Sequence, residues 1–188
     1  MIVSLIGFMG CGKSSVGRRL SELLCCRFVD LDEYIAAKEG RTIPEIFASE
    51  GESAFRQMES DALREIVTNT SDTLILSLGG GAVMTKDCAE MVREKTYCIY
   101  LRTAVETLVE RLENEADGRP MLASGQNHCT PESRRSALRE RIETLMNKRA
   151  ATYETTAHHI IDTDGLSINN LAHTIISSIE SNQNLRTL

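Results

Sequence analysis

The chain has 188 residues, the size of one ordinary domain, and a chain of that length buries about two-thirds of its unfolded surface, enough for a real core. Hydrophobic residues make up 41% and charged residues 26%, which is too apolar for a disordered chain, and no apolar run approaches the roughly 20 residues of a membrane span. With 21 basic and 27 acidic residues the formal charge is -6, the wrong sign for a protein that mainly grips nucleic-acid backbones.

In chain order, the first element is a strand over residues 2–6, largely apolar. The N-terminal MIVSLIGFMGCGK has no basic segment ahead of its apolar stretch and is Gly-rich where a cleavage site would lie. It is therefore expected to be structural, and the protein cytoplasmic. Directly after the strand, Gly7-Phe8-Met9-Gly10-Cys11-Gly12-Lys13-Ser14 fits G-x-x-x-x-G-K-[ST], and a helix-period segment with Val16, Leu20 and Leu23 follows. In that setting backbone N–H groups at Gly10, Cys11, Gly12 and on through Ser15 converge on phosphate oxygens, and the helix N-terminus adds partial positive charge. Lys13 reaches the β and γ phosphates, and the Ser14 hydroxyl ligates Mg²⁺. A nucleoside triphosphate site leaves switch, motor, ATPase and kinase open; the chain is short for a motor and lacks the N-K-x-D tetrapeptide of a guanine-reading GTPase.

A weaker strand over 27–30 ends in Asp30-Leu31-Asp32, whose carboxylates at strand period point the same way, toward the crevice outside the strand ends. One can hold Mg²⁺ through water while the other accepts or orients a substrate hydroxyl; equally, they could merely end the strand and cap a helix. Phe55, Met58, Ala62, Leu63 and Ile66 then form a helical stripe with Glu59 set into it and Arg56 at i-3 from that acid, a pair able to hold Arg56 out toward an anion. A strand over 73–78 runs into Gly79-Gly80-Gly81, where a ligand can approach backbone N–H groups with no side chain in the way.

A strand over 97–101 precedes Thr103 and Glu106, read as a capping box for a helix with Val105, Leu108, Val109 and Leu112 inward. The aperiodic stretch 113–130 reads as a long loop serving as a lid, with Arg119 placed to swing onto the transferring phosphate. Leu138, Ile142 and Leu145 line the next helix, and Arg149, eleven residues past Leu138, continues that stripe, so its guanidinium must snorkel or meet an anion. A strand over 159–162 and a stripe of Ile168, Leu171, Ala172, Ile175, Ile176 and Ile179 complete the chain, with fraying expected after residue 181. Strands alternating with helices predict an α/β domain, its parallel sheet covered on both faces. The six cysteines include no CxxC and are expected to be reduced packing residues.

The residues resemble the shikimate kinase family. The matching pieces are GFMGCGKS at 7–14, DLD at 30–32, FRQMES at 55–60, SLGGGAV at 77–83, RPML at 119–122 and KRAATYE at 148–154, in the family's order and across most of the chain. The resemblance implies ATP-dependent phosphorylation of the 3-hydroxyl of shikimate on the route to chorismate and the aromatic amino acids. It implies a P-loop kinase-like three-layer sandwich, a five-stranded parallel sheet ordered 2-3-1-4-5 with a mobile lid, in a single domain over 1–188. The acceptor-binding region would span about 31–61 and the lid about 112–129.

By the same resemblance Lys13, Asp32 and Arg119 are catalytic, with Asp32 on the ring hydroxyls, and Arg56, Arg149 and Gly80 hold the carboxylate while Gly79 and Gly81 line its pocket. Asp30 supports Mg²⁺ with Ser14, and Arg111 stacks on adenine. The chain departs from the family's R-x-P-x-Y pattern at Ala151, has a longer lid, and lacks basic residues over 162–167. A gluconate-type kinase and a catalytically idle nucleotide-binding module are the alternatives. Shikimate and ATP are the expected partners, with no nucleic acid and no membrane, and nothing demands more than a monomer.

Overall fold

The computed structural model describes residues 1–113 and 130–186, with side chains of the last helix described to residue 181. Strands β1 (Ile2–Ile6), β2 (Arg27–Asp30), β3 (Leu74–Ser77), β4 (Tyr97–Arg102) and β5 (His159–Asp162) form one sheet in the order β2-β3-β1-β4-β5. Every pairing is parallel. The connections are the helices α1 (Lys13–Leu23), α2 (Leu31–Glu39), α3 (Ile43–Asn69), α4 (Lys86–Lys95), α5 (Val105–Leu112) and α6 (Pro131–Thr156), with α7 (Ile168–Arg186) closing the chain. Among the described residues no helix is long and apolar enough to cross a membrane.

Strands β1, β3 and β4 are largely apolar and buried on both faces because both faces are covered, whereas the edge strands β2 and β5 are more exposed. Val3, Leu5, Ile99 and Leu101 pack with residues of α1, α5 and α7, whereas Ile2, Ile6, Cys98 and Tyr100 face a second layer built on α2, α3 and α4. Period-2 alternation thus sorts neighbouring residues of one strand into two cores. Since all strands run the same way, the turns after β1, β2 and β3 open at one edge. The chain steps from central β1 to β3 on one side and β4 on the other, leaving a crevice there.

Several local expectations change in the folded chain. Helices α2 and α4 have no counterpart among the predicted elements; each buries two residues one turn apart, Leu31 with Ile35 and Cys88 with Val92, too short a stripe to register. Strand β2 stops at Asp30, so Asp32 sits in the first turn of α2 rather than on the strand. Thr103 does not cap α5: its hydroxyl lies 2.6 Å from that of Thr163 in a buried pair, the N-cap is Ala104, and Glu106 pairs instead with Arg139. Ile168 leaves the core stripe and is 47% exposed, while Leu171, Ala172, Ile175 and Ile179 are buried. Despite Ala151, α6 runs unbroken to Thr156 from a start fixed by the Thr130–Ser133 capping box and Pro131.

Candidate active site

The phosphate loop needs backbone shapes that side chains resist. Gly7, Gly10 and Gly12 have φ of 144°, 80° and 98°, and Gly12 enters α1 with no side-chain cap, leaving the first N–H groups of that helix directed at whatever binds there. Lys13 is 8% exposed, and its Nζ donates to the carbonyls of Gly7 and Phe8, each at 3.0 Å. The Ser14 hydroxyl donates to Asp30 Oδ2 at 2.6 Å, while Asp30 Oδ1 accepts the N–H groups of Asp32 and Glu33 and so caps α2. Ser14 and Asp30 therefore present hard oxygen donors side by side at the end of the phosphate loop, the donor chemistry that Mg²⁺ takes, usually with only one or two protein ligands.

A cleft of about 640 Å³ is lined by Gly10, Cys11, Gly12, Lys13, Ser14 and Ser15 on one wall and by Asp30, Asp32, Gly79 and Gly80 on another, with Arg111 at its rim. Arg111 Nη1 donates to the Gly10 carbonyl at 3.2 Å. The triple glycine is where chemistry from distant elements meets. A Cβ on Gly79 would stand 2.7 Å from both Asp32 Oδ1 and Glu59 Oε1, so its absence lets two carboxylates close on the same spot. A Cβ on Gly81 would run into the Arg56 guanidinium. Gly80 stands between the halves: its Cβ position is 3.2 Å from Met9 N in the phosphate loop, and its carbonyl accepts from Arg149 Nη1 at 3.2 Å and from the Tyr153 hydroxyl. The carboxylates thus share a crevice, as expected, but by strand end and helix turn rather than by strand period.

The charges here are unusually dry. Arg149 is 5% exposed, its guanidinium carbon 5.9 Å from the centre of the Phe8 ring. Glu59 is 2% exposed and pairs through Oε2 with Arg56, which also reaches Glu52 at 3.0 Å. Glu59 Oε1 is buried with no hydrogen-bond partner among the described residues. Burial pushes the Glu59 carboxyl up to about 7, against the pull of the Arg56 guanidinium and helped by the neighbouring Asp32 charge. A carboxylate in that position holds Arg56 in place and stays only partly ionised near neutral pH.

A model of the shikimate kinase family matches residues 9–180. This chain belongs to the shikimate kinase family. The shikimate kinase of Salinibacter ruber is 40% identical over 164 residues, covering 87% of this chain and 78% of the relative. That of Dictyoglomus turgidum is 36% identical over 179 residues, covering 94% and 96%. Among solved structures, the shikimate kinase from Acinetobacter baumannii in complex with shikimate superposes with a TM-score of 0.85 at 34% identity, covering 96% of this chain and 93% of that one.

Within this shikimate kinase fold, most predicted site residues come together. Gly10 to Ser15, Asp30, Asp32, Gly79, Gly80 and Arg111 share the cleft; Gly81, Arg56 and Arg149 lie just behind it, joined through Gly80 and Glu59. Arg119 and lid positions 114–129 lie outside the described residues; Leu112, at the expected lid boundary, is buried at the end of α5 against Gly10. Sequence reasoning missed Leu166, and counted Ile168 and Leu171 only as core, although all three line the cleft beside Arg111. It also gave no role to Tyr153, one helical turn beyond Arg149, a spacing that does place the two side chains on one face. Among the described residues Cys11, Cys25, Cys26, Cys88 and Cys98 are free thiols, and burial pushes Cys98 up to about 12; Cys129 lies outside the described residues.

Proposed function

We propose that the protein transfers the γ-phosphoryl group of ATP to the 3-hydroxyl of shikimate, giving shikimate 3-phosphate and ADP, on the route to chorismate and the aromatic amino acids. One observation carries this reading: a Cβ on Gly80 would stand 3.2 Å from Met9 N in the phosphate loop, the Gly80 carbonyl accepts from Arg149, and the spaces that a Cβ would fill on Gly79 and Gly81 are taken by Asp32 and Arg56. A phosphate site and a site for a small hydroxy acid therefore share one wall.

In this reading Lys13 and the phosphate-loop amides hold the β and γ phosphates and neutralise charge as it shifts toward the leaving oxygen. Ser14 and Asp30 hold Mg²⁺, which supplies charge neutralisation of the phosphate oxygens when bound. Arg56 and Arg149 clamp the substrate carboxylate, with Glu59 holding Arg56 from behind. That clamp sets the ring so that one hydroxyl faces Asp32. The carboxylate takes the hydroxyl proton, the freed oxygen forms a bond to the γ phosphorus, the bond from that phosphorus to the β–γ bridging oxygen breaks, and ADP leaves.

Shikimate is favoured over gluconate because the chain belongs to the shikimate kinase family and the Acinetobacter relative is a shikimate complex; the two arginines near the triple glycine suit a carboxylate, which both acids carry. An idle module is disfavoured because Lys13 and Asp32 both line the cleft. The test is ADP formation by purified protein with MgATP: shikimate alone among the acids supports turnover, whereas turnover with gluconate, or with neither acid, rejects the reading. Asp32→Asn should bind ATP normally and lose about 10²- to 10⁴-fold in kcat; a near-normal rate would remove Asp32 as the base.

A further inference from the structure

The parallel register of β4 and β5 does not stop where the strands stop. Arg102 pairs with Asp162 as the last rung of the ladder, and their side chains form a two-point ion pair at 2.5 and 2.8 Å. One residue on, the hydroxyls of Thr103 and Thr163 meet at 2.6 Å, and the Thr163 N–H donates to the Arg102 carbonyl at 2.9 Å. One residue further, Asp164 Oδ2 accepts the Ala104 N–H at 2.9 Å while its Oδ1 accepts the Thr107 hydroxyl at 2.6 Å. Asp164 is thus the N-terminal cap that α5 lacks in its own sequence, supplied from sixty residues away.

What this cap connects bears on function. Helix α5 carries Arg111, which bonds the phosphate loop at Gly10 and stands at one side of the cleft. After Asp164, Gly165 (φ 73°) turns the chain, and Leu166 and Ile168 line the same cleft while remaining 39% and 47% exposed. Two large, partly exposed apolar side chains in the same cleft as a guanidinium offer a flat ring both aliphatic and cationic contacts. Asp164 joins the start of α5 to the turn that carries Leu166 and Ile168, through its bonds with Ala104 and Thr107.

We propose that Asp164 is a positioning residue for the nucleotide: by capping α5 from the β5–α7 turn, it pins Leu166 and Ile168 to the helix that carries Arg111, and so builds the base-binding end of the cleft. The inference rests on the ATP reading above. Its effect falls mainly on the base, because the phosphate loop holds its shape through its own glycines and Lys13 and meets α5 at the Arg111 bond to Gly10 and the Leu112 side chain.

The experiment compares ADP with tripolyphosphate, which has phosphates and no base, by titration calorimetry. Asp164→Ala should weaken ADP about fivefold, the scale of a lost helix cap, and leave tripolyphosphate within about twofold. Asp164→Asn, which keeps one acceptor oxygen, should recover most of the ADP affinity, and Thr107→Val should show a smaller loss of the same kind. Unchanged ADP affinity in Asp164→Ala, or an equal fall for both ligands, overturns the proposal, since a merely structural cap would not separate them. Wild-type protein that binds neither ligand rejects the ATP reading itself; wild-type protein that binds ADP no better than tripolyphosphate retains that reading and overturns this one.

Discussion

The two halves of the cleft are built in opposite ways. The phosphate side comes from one uninterrupted stretch, in which a strand, three glycines with positive φ and a helix N-terminus supply nearly every group. The proposed acceptor side comes from four separate pieces: Asp32 on α2, Arg56 and Glu59 on α3, the glycines after β3, and Arg149 on α6. The first is held by backbone shape, the second by buried charges that only have partners once the helices have packed. A local site tolerates change elsewhere in the fold, whereas a gathered one depends on every element that delivers a residue to it.

The strongest way to break this contrast is Lys13→Ala. It should lower kcat/KM for ATP by about 10³-fold or more while leaving shikimate binding, followed by calorimetry, within a few fold. Loss of shikimate affinity on the same scale would show that the halves are not separable. Arg149→Lys tests the other half: an ammonium cannot reproduce the planar two-point grip, and the shikimate KM should rise about 30-fold with ATP affinity little changed. An unaltered KM would place Arg149 outside the carboxylate clamp and leave it only its bond to Gly80.

The smallest effect, and the one that sharpens the contrast, is electrostatic. Burial holds the folded Glu59 carboxyl at about 7, above its ordinary 4.5. The folded state therefore grips that proton more tightly than the unfolded chain does, and stability falls as pH rises from about 4.5 through about 7, then levels off. Glu59→Gln removes this slope, so its melting temperature relative to the wild type should climb across that window. Parallel melting curves from pH 4.5 to 8 would mean that Arg56 already keeps Glu59 ionised.

Legibility in the sequence follows the same division. The phosphate loop was readable because its geometry is local and its residue types are dictated by φ and by close approach to phosphate. Arg149 was readable as an arginine continuing an apolar stripe, and Glu59 as an acid set into one, since both break a period that burial imposes. The Thr103 capping box was misread because the pattern of residues 103 and 106 is correct locally, yet a buried hydroxyl on the neighbouring strand end claims Thr103 first. Ile168 was misread for the converse reason: it fits the stripe of α7 but lies at the helix start, where the cleft rather than the sheet faces it.

By itself, then, the order of residues determined the five strands, most of the helices between them and the phosphate-loop pattern, and singled out the side chains proposed for the acceptor, because each depends on interactions within about four residues along the chain or on the period of burial. Only the tertiary structure decided that Asp32 approaches the cleft from a helix, that Glu59 stands beside it, that Gly80 joins the two halves, and that Asp164 caps a helix sixty residues away. Those contacts belong to the parallel sheet: strands distant in sequence are brought into register, and side chains at their ends find partners that no local pattern encodes.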